Sequence, residues 1–297
     1  SNTTVTMNAA SMNNSGFEFS ATYRNRDRDF KYELSANLST LRNRVTSLGF
    51  GTDSYISGAY ITNVGQEIGQ FYGWAYEGIA RTQEDLDNHA TQEGAQIGDC
   101  LYKDISGPDG KPDGKVDAND QVVLGSGMPK IHFGLNARFE YKRFDLSIAT
   151  FGALNYHVSD DIYNSLNSCY GWGNKEVGML DANRFSEDGS TYLSNVPRTY
   201  VTNSASLGWN DLFSSRKIQN AAYWKIANVE LGYNFPNEWF GKYVSDVRFY
   251  VSAQNLHTFT GYHGYNVDYA GGTFTPGYNF CSYPTARTFM CGVHFTF

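Results

Sequence analysis

Residues 284–297 read PTARTFMCGVHFTF, and their apolar and polar side chains alternate without a break. One set of alternating positions carries Phe289, Cys291, Val293, Phe295 and Phe297. The intervening positions carry Thr288, Met290, Gly292, His294 and Thr296. Because successive side chains of a β-strand point to opposite faces, this stretch predicts a strand with one aromatic-rich face and one small or polar face.

The same period of two recurs in six earlier segments, so it is a property of the whole chain. These segments are 16–24, 30–39, 131–141, 144–149, 223–235 and 247–259. Most are close to the roughly 9–11 residues that a tilted strand needs to cross a bilayer. An outward apolar row and an inward polar row are typical of membrane-spanning barrels. The sequence therefore predicts an all-β fold, an antiparallel transmembrane β-barrel.

The composition agrees with a transmembrane barrel and argues against nucleic-acid binding. Charged residues make up 18% and aromatic residues 16% of the chain, and the mean hydropathy is −0.46. A barrel alternates its apolar residues, so its average hydropathy stays low, and aromatic girdles mark its two interfaces. The net charge of −7 offers no basic patch, which argues against a nucleic-acid partner. A soluble β-sandwich shares this composition, but Arg138 and Glu140 in register on one strand face disfavour it.

The lengths of the connections predict how the strands are oriented. Short turns are expected at 24–29, 142–143 and 236–246, and long connections near 42–130, 155–220 and 260–285. In outer-membrane barrels short turns face the periplasm and long loops face outside. We therefore expect three extracellular connections and a periplasmic C-terminus. Since open sheet edges do not survive in hydrocarbon, we expect residues 1–297 to be the C-terminal portion of a larger barrel.

Several phrases, in order along nearly the whole chain, carry a resemblance to a known family. They include NNSGFEFSATYRNRDRDFKYELSANLS (13–39), GQEIGQFYGWAYEGIARTQEDLD (65–87), YWKIANVELGYNFP (223–236), VRFYVSAQNLHTFTGYHGYNVD (247–268) and SYPTARTFMCGVHFTF (282–297). In their order and spacing the chain resembles the C-terminal part of the SusC/RagA-like TonB-dependent outer-membrane transporters.

The resemblance implies a barrel of about 22 strands that is filled by an N-terminal plug. It implies the outer membrane of a Gram-negative bacterium as the location, and insertion by the barrel-assembly machinery. It also implies energy from the TonB complex, a SusD-like surface lipoprotein as partner, and a glycan or oligopeptide as substrate. The plug, the TonB-contacting segment and the first strands have no counterpart in this sequence.

One motif has the spacing of a calcium-binding loop, beginning at Asp109. Asp109, Asp113, Asp117 and Asp120 stand at its first, fifth, ninth and twelfth positions, with Gly114 at the sixth. The carbonyl of Lys115 would be the ligand at the seventh position, and Asp104 could replace the ligand that Lys111 cannot supply at the third position. The sequence thus predicts a structural Ca²⁺ site in 104–120, although the same residues also suit a solvated acidic turn.

No catalytic or cofactor-binding residue is predicted. The six histidines are scattered, and neither a Gly-x-Ser-x-Gly elbow nor a phosphate-binding glycine loop is present. The missing motifs argue against an outer-membrane barrel enzyme, and the long loops and the resemblance argue against a passive porin-like channel. Energised nutrient import is therefore favoured over both.

The sequence allows more than one role for the loop cysteines and for the aromatic loop residues. Cys100, Cys169 and Cys281 suit either a disulfide or free thiols. The aromatic loop residues suit substrate contact, partner contact or loop packing; they are Trp74, Tyr170, Trp172, Tyr200 and Trp209. No substrate-binding residue is assigned.

Overall fold

The computed structural model describes residues 10–169, 173–199, 205–240, 244–268 and 271–297. Its main element is a seven-stranded antiparallel sheet. The strands are β1 (Glu18–Asn25), β2 (Phe30–Thr40), β3 (Ile131–Tyr141), β4 (Phe144–Leu154), β5 (Tyr223–Asn234), β6 (Asp246–Thr260) and β7 (Thr288–Thr296). Each strand pairs with its neighbours in sequence, so the sheet is an up-and-down meander.

The seven predicted segments are confirmed as the seven strands of this one sheet. The fourth segment was predicted too short, since β4 continues to Leu154 rather than ending near 149. Among the described residues the sheet is open, with β1 and β7 as its two edges. Antiparallel pairing throughout this sheet agrees with the predicted fold class.

One face of the sheet is apolar and exposed. The register aligns Leu34, Ala137, Ile148, Val229, Ala253 and Phe289 in a continuous row across six strands. Large side chains on this face remain open, with Leu135, Leu231 and Val251 exposed by 47%, 45% and 42%. An apolar surface of this extent is what hydrocarbon would cover.

The opposite face is polar and is held together by charge pairs. Arg24 lies opposite Glu33 and forms two hydrogen bonds to its carboxylate, at 2.7 and 3.1 Å. Further across the sheet, Arg248 donates to Asp145 at 3.0 and 2.5 Å and to Glu230 at 2.8 Å. Gly232 makes room for this cluster, because a Cβ there would overlap the guanidinium of Arg248.

All three long connections leave from the same end of the sheet. Ile131 pairs with both Thr40 and Leu154, and Tyr223 pairs with Thr260, which places these strand ends side by side. The first connection covers 41–130, the second 155–222 and the third 261–287. The opposite end carries the short turns 26–29 and 142–143 and the connection 235–245.

The long connections contain short elements of their own. Their strands are Arg42–Ser47, Ser54–Ser57, Tyr60–Asn63, Gln70–Trp74, Tyr76–Ile79, Cys100–Tyr102, Gln121–Ser126, His157–Asp160, Gln219–Asn220 and Tyr278–Asn279. The strand Ser11–Ser15 precedes β1 and pairs with Arg42–Ser47. The α-helices are α1 (Gln83–Asn88) and α2 (Asp161–Leu166). The 3₁₀ turns are Gly49–Gly51, Ala118–Asp120, Val177–Asp181, Ala205–Asp211, Ser215–Lys217 and Asn237–Trp239. In the described part of the chain, no helix has both the length and the apolar character needed to span a membrane.

Candidate functional site

The first and second connections are joined by a buried charge network. Arg198 donates to both carboxylate oxygens of Asp99, at 2.5 and 3.0 Å, and the side chain of Asp99 is 1% exposed. Asn210 donates to Asp99 at 2.7 Å and accepts from the backbone N–H of Cys100 at 2.7 Å. A carboxylate this deeply buried needs such partners, because an unpaired buried charge is strongly destabilising.

Backbone and arginine contacts extend the same interface. Arg81, at the start of the α1 region, donates to the carbonyls of Tyr192 and Ser194 at 3.2 and 3.1 Å. Tyr76 donates its N–H to the hydroxyl of Ser215 at 3.0 Å. The first and second connections therefore form one packed body rather than two separate loops.

A second buried network ties the third connection to this body. Tyr262 donates its hydroxyl to the carboxylate of Asp160, and Asn279 donates to the same carboxylate at 3.1 Å. Asp160 also caps α2 by accepting from the N–H of Tyr163 at 2.8 Å. Burial, together with the neighbouring carboxylate, raises the pKa of Tyr262. The hydroxyl therefore stays protonated and remains a donor at neutral pH.

The residues of the predicted calcium loop lie together, but backbone amides already occupy most of the carboxylates. Asp104 accepts from the N–H of Gly114 at 2.7 Å, and Asp113 accepts from that of Lys115 at 3.0 Å. Asp117 accepts from the N–H of Asn119 at 2.7 Å. Over the described residues, no group of three or more acidic, histidine or cysteine side chains is arranged to hold a metal ion.

Asp120 is the centre of this loop and is fully buried. Its carboxylate accepts from the N–H groups of Ile105, Ser106 and Asp117 at 2.7, 3.0 and 2.7 Å. Burial opposes ionisation of this carboxyl, but these amide donors outweigh it and lower the pKa of Asp120. The loop is thus folded around an anion held by backbone N–H groups.

We expect Asp120→Asn to loosen this loop by about 1–3 kcal/mol, since an amide nitrogen would face the N–H of Asp117. A pKa that is lowered on folding stabilises the loop above the ordinary carboxyl value of about 4. That contribution is lost as pH falls through the folded value. Hydrogen exchange of the segment 104–120 measures both effects. Asp109→Asn is the matched control, because Asp109 is exposed, and equal protection in the two variants would contradict this account.

Calcium binding stays a prediction. A bound ion would contact Asp109, the carbonyl of Lys115 and carboxylates that now accept backbone N–H groups, at about 2.3–2.6 Å. We expect Ca²⁺, but not Mg²⁺, to raise the melting temperature of the purified protein, and we expect Asp109→Asn to abolish that rise. No difference between the two ions, or an unchanged response in the variant, would contradict the prediction.

The four cysteines are free thiols, which answers the question that the sequence left open. Cys100 and Cys169 are fully buried, whereas Cys281 and Cys291 are exposed. Burial raises the pKa of Cys100 to about 12 and that of Cys169 to about 11. Both buried thiols are therefore neutral and unreactive at physiological pH.

Sequence patterns do not indicate the contacts of the two buried networks. Asp99, Arg198 and Asn210 are single polar residues in segments without periodicity, and up to 111 residues separate them. Nothing in the sequence indicates that Arg198 is the partner of Asp99. Tyr170, Trp172 and Tyr200, which were considered for substrate contact, lie outside the described residues.

The chain is similar to known proteins along nearly its whole length. No protein-family model matches it. It is 29% identical to TonB-dependent receptor P3 of Formosa agariphila, over 98% of this chain and 29% of that protein. It is 25% identical to TonB-dependent receptor SusC of Bacteroides thetaiotaomicron, over 100% of this chain and 27% of that protein. The chain thus spans less than a third of the length of these relatives, which are receptors rather than enzymes.

Solved structures show the same fold. The structure of the RagAB peptide transporter matches 97% of this chain with a TM-score of 0.76 and 21% identity. The RagAB peptide importer in its closed-closed state matches 98% of the chain with a TM-score of 0.73 and 23% identity. At these identities the matches establish the fold alone. Together with the sequence relatives, they confirm the resemblance of this chain, over nearly its whole length, to the SusC/RagA-like TonB-dependent receptors.

Proposed function

We propose that this chain is part of an outer-membrane importer that takes up a large nutrient, a glycan or an oligopeptide, with energy from TonB. The observation that carries the proposal is the two-faced meander, which has the fold of a receptor barrel and matches TonB-dependent receptors along the chain. Its apolar face would contact outer-membrane lipid and its charged face the barrel interior.

The different lengths of the connections at the two ends of the sheet support an orientation of the chain in the outer membrane. The three long connections share one end of the sheet, and the short turns share the other. Long ordered loops usually persist because they bind something, and in outer-membrane barrels they face outside. In this proposal the packed body of the first and second connections is extracellular, and the C-terminus is periplasmic.

A SusD-like lipoprotein is the proposed partner on the extracellular side. The long connections expose large apolar side chains that no described residue covers, including Val177 at 79%, Leu180 at 85% and Tyr283 at 87%. Exposed apolar groups of this size on an ordered surface are typical of protein contacts. A lid resting on these connections would bury them.

The test uses the full-length receptor in its own bacterium, supplied with the nutrient as sole carbon source. We expect growth to require both the receptor and TonB, and the receptor to co-purify with a lipoprotein. Solute flux that persists without TonB would instead indicate a passive channel. Turnover of the nutrient by the purified receptor in detergent would indicate an enzyme. Either result would reject the proposal.

A further inference from the structure

A cavity of about 580 Å³ lies where the first and second connections meet. Two tryptophans, Trp74 from the first connection and Trp209 from the second, line it together with Leu212. Its remaining lining residues are Glu93, Gly94, Asp117, Ala118 and Gly208. The cavity is backed by the buried cluster of Cys100, Tyr102 and Val116, against which both indoles pack.

The two indole N–H groups are already committed to the protein. Trp74 donates to the carbonyl of Asp117 at 3.0 Å, and Trp209 donates to the carbonyl of Glu93 at 2.9 Å. These bonds fix both rings in place. An indole has no other hydrogen-bonding group, so what the rings can still offer a ligand is their π-surface.

Among the described residues that line the cavity, the side chains therefore contain acceptors but no free donor. Glu93 and Asp117 are exposed carboxylates with a combined formal charge of −2. Among the described residues, the carboxylate of Glu93 makes neither an ion pair nor a hydrogen bond. Asp117 accepts from the backbone N–H groups of Asn119 and Asp120, which cap the 3₁₀ turn Ala118–Asp120. The carboxylate of Glu93 is therefore the acceptor that remains available to a ligand.

Two indole faces beside a carboxylate favour a planar cation as the ligand. The faces of indole rings attract cations, and a guanidinium both stacks on them and donates in a fork to a carboxylate. A sugar ring carries hydroxyls that accept as well as donate. The described side chains of this wall donate no free hydrogen bond, so the hydroxyl oxygens of a sugar would find no side-chain donor among them.

We propose that this cavity binds the arginine side chain of a peptide cargo. The inference rests on the proposed import function and chooses the oligopeptide from its two cargo classes. The guanidinium would lie against Trp74 and Trp209 and donate to the carboxylate of Glu93. Lysine would bind more weakly, because an ammonium is a point charge that neither stacks nor forms a fork.

The test is calorimetric binding to the purified full-length receptor. The probes are acetyl-Ala-Arg-Ala-amide and the same peptide with citrulline, which has the shape of arginine without its charge. We expect citrulline to bind about tenfold or more weakly. Glu93→Gln should remove most of that preference, whereas Glu187→Gln, which alters an exposed carboxylate outside the cavity, should preserve it.

Equal binding of the two peptides, or an unchanged preference in Glu93→Gln, would overturn the inference. Maltohexaose that binds the receptor and displaces the arginine peptide would overturn it in favour of a sugar site. TonB-dependent growth of the same strains is measured in parallel. Growth that persists while arginine selectivity is absent defeats only this inference, whereas TonB-independent growth defeats the proposed function.

Discussion

Leu135→Arg is expected to leave little assembled barrel, whereas Asn136→Arg, one residue further along the same strand, is expected to assemble. Both positions lie near the middle of β3 and pair with β2 and β4. Leu135 is exposed on the apolar face, and Asn136 lies on the polar face. An arginine facing lipid near the bilayer midplane costs about 2–4 kcal/mol, whereas one that faces the barrel interior keeps access to water and counter-charges.

The pair is a sharp test because depth, strand and added side chain are the same. The measurement is the fraction of full-length receptor that migrates as a folded, heat-modifiable band from outer-membrane fractions. Leu231→Arg and Asn228→Arg compare the two faces on β5 at positions three residues apart. If the two members of each pair assemble equally well, the apolar face does not contact lipid and the assignment of the two faces fails.

The sheet was predictable because the pattern that specifies each strand lies within the sequence of that strand. Alternation along each strand specifies its two faces, and all seven segments were found from that signal alone. The signal failed at the end of β4, where Thr150 and Gly152 interrupt the apolar row. Thr150 donates to the carbonyl of Leu135 at 2.8 Å, and Gly152 makes room for the carbonyl of Tyr223 and the ring of Phe133. These contacts come from the neighbouring strands. The sequence of β4 alone therefore indicates an end that is too early.

The long connections were not predictable, because their stability comes from contacts distant in sequence. Their strands are at most six residues long, too short for a period to be read, and Asp99 lies 99 residues from Arg198. The acidic loop illustrates a related difficulty. Its spacing predicts a cation, yet backbone N–H groups occupy the same carboxylates, and only the fold reveals that those amides converge there.

The second large effect is expected at Arg198, whose replacement should loosen the connections while leaving the barrel assembled. Arg198→Met keeps most of the side-chain volume but leaves the carboxylate of Asp99 buried without its cation. Breaking a buried ion pair on one side costs about 3–5 kcal/mol. The seven strands do not depend on this pair, since their own ladder holds them. Hydrogen exchange should therefore rise at Cys100 and Arg198, whose N–H groups bond within the network, but not in β3 to β6.

The double variant Asp99→Asn/Arg198→Met distinguishes the effect of the unpaired buried charge from the effect of altered packing. With both charges removed, the amide oxygen introduced by Asp99→Asn could still accept from Asn210, so we expect the double variant to be more stable than Arg198→Met alone.

If the body formed by the first and second connections is needed to engage a lid or cargo, import should follow the same order as stability. The native protein should import fastest, the double variant more slowly, and Arg198→Met most slowly. Receptor in the outer membrane should stay constant across the three. Import that is unaffected by Arg198→Met, despite faster exchange in the connections, would show that the body's rigidity is not used in transport.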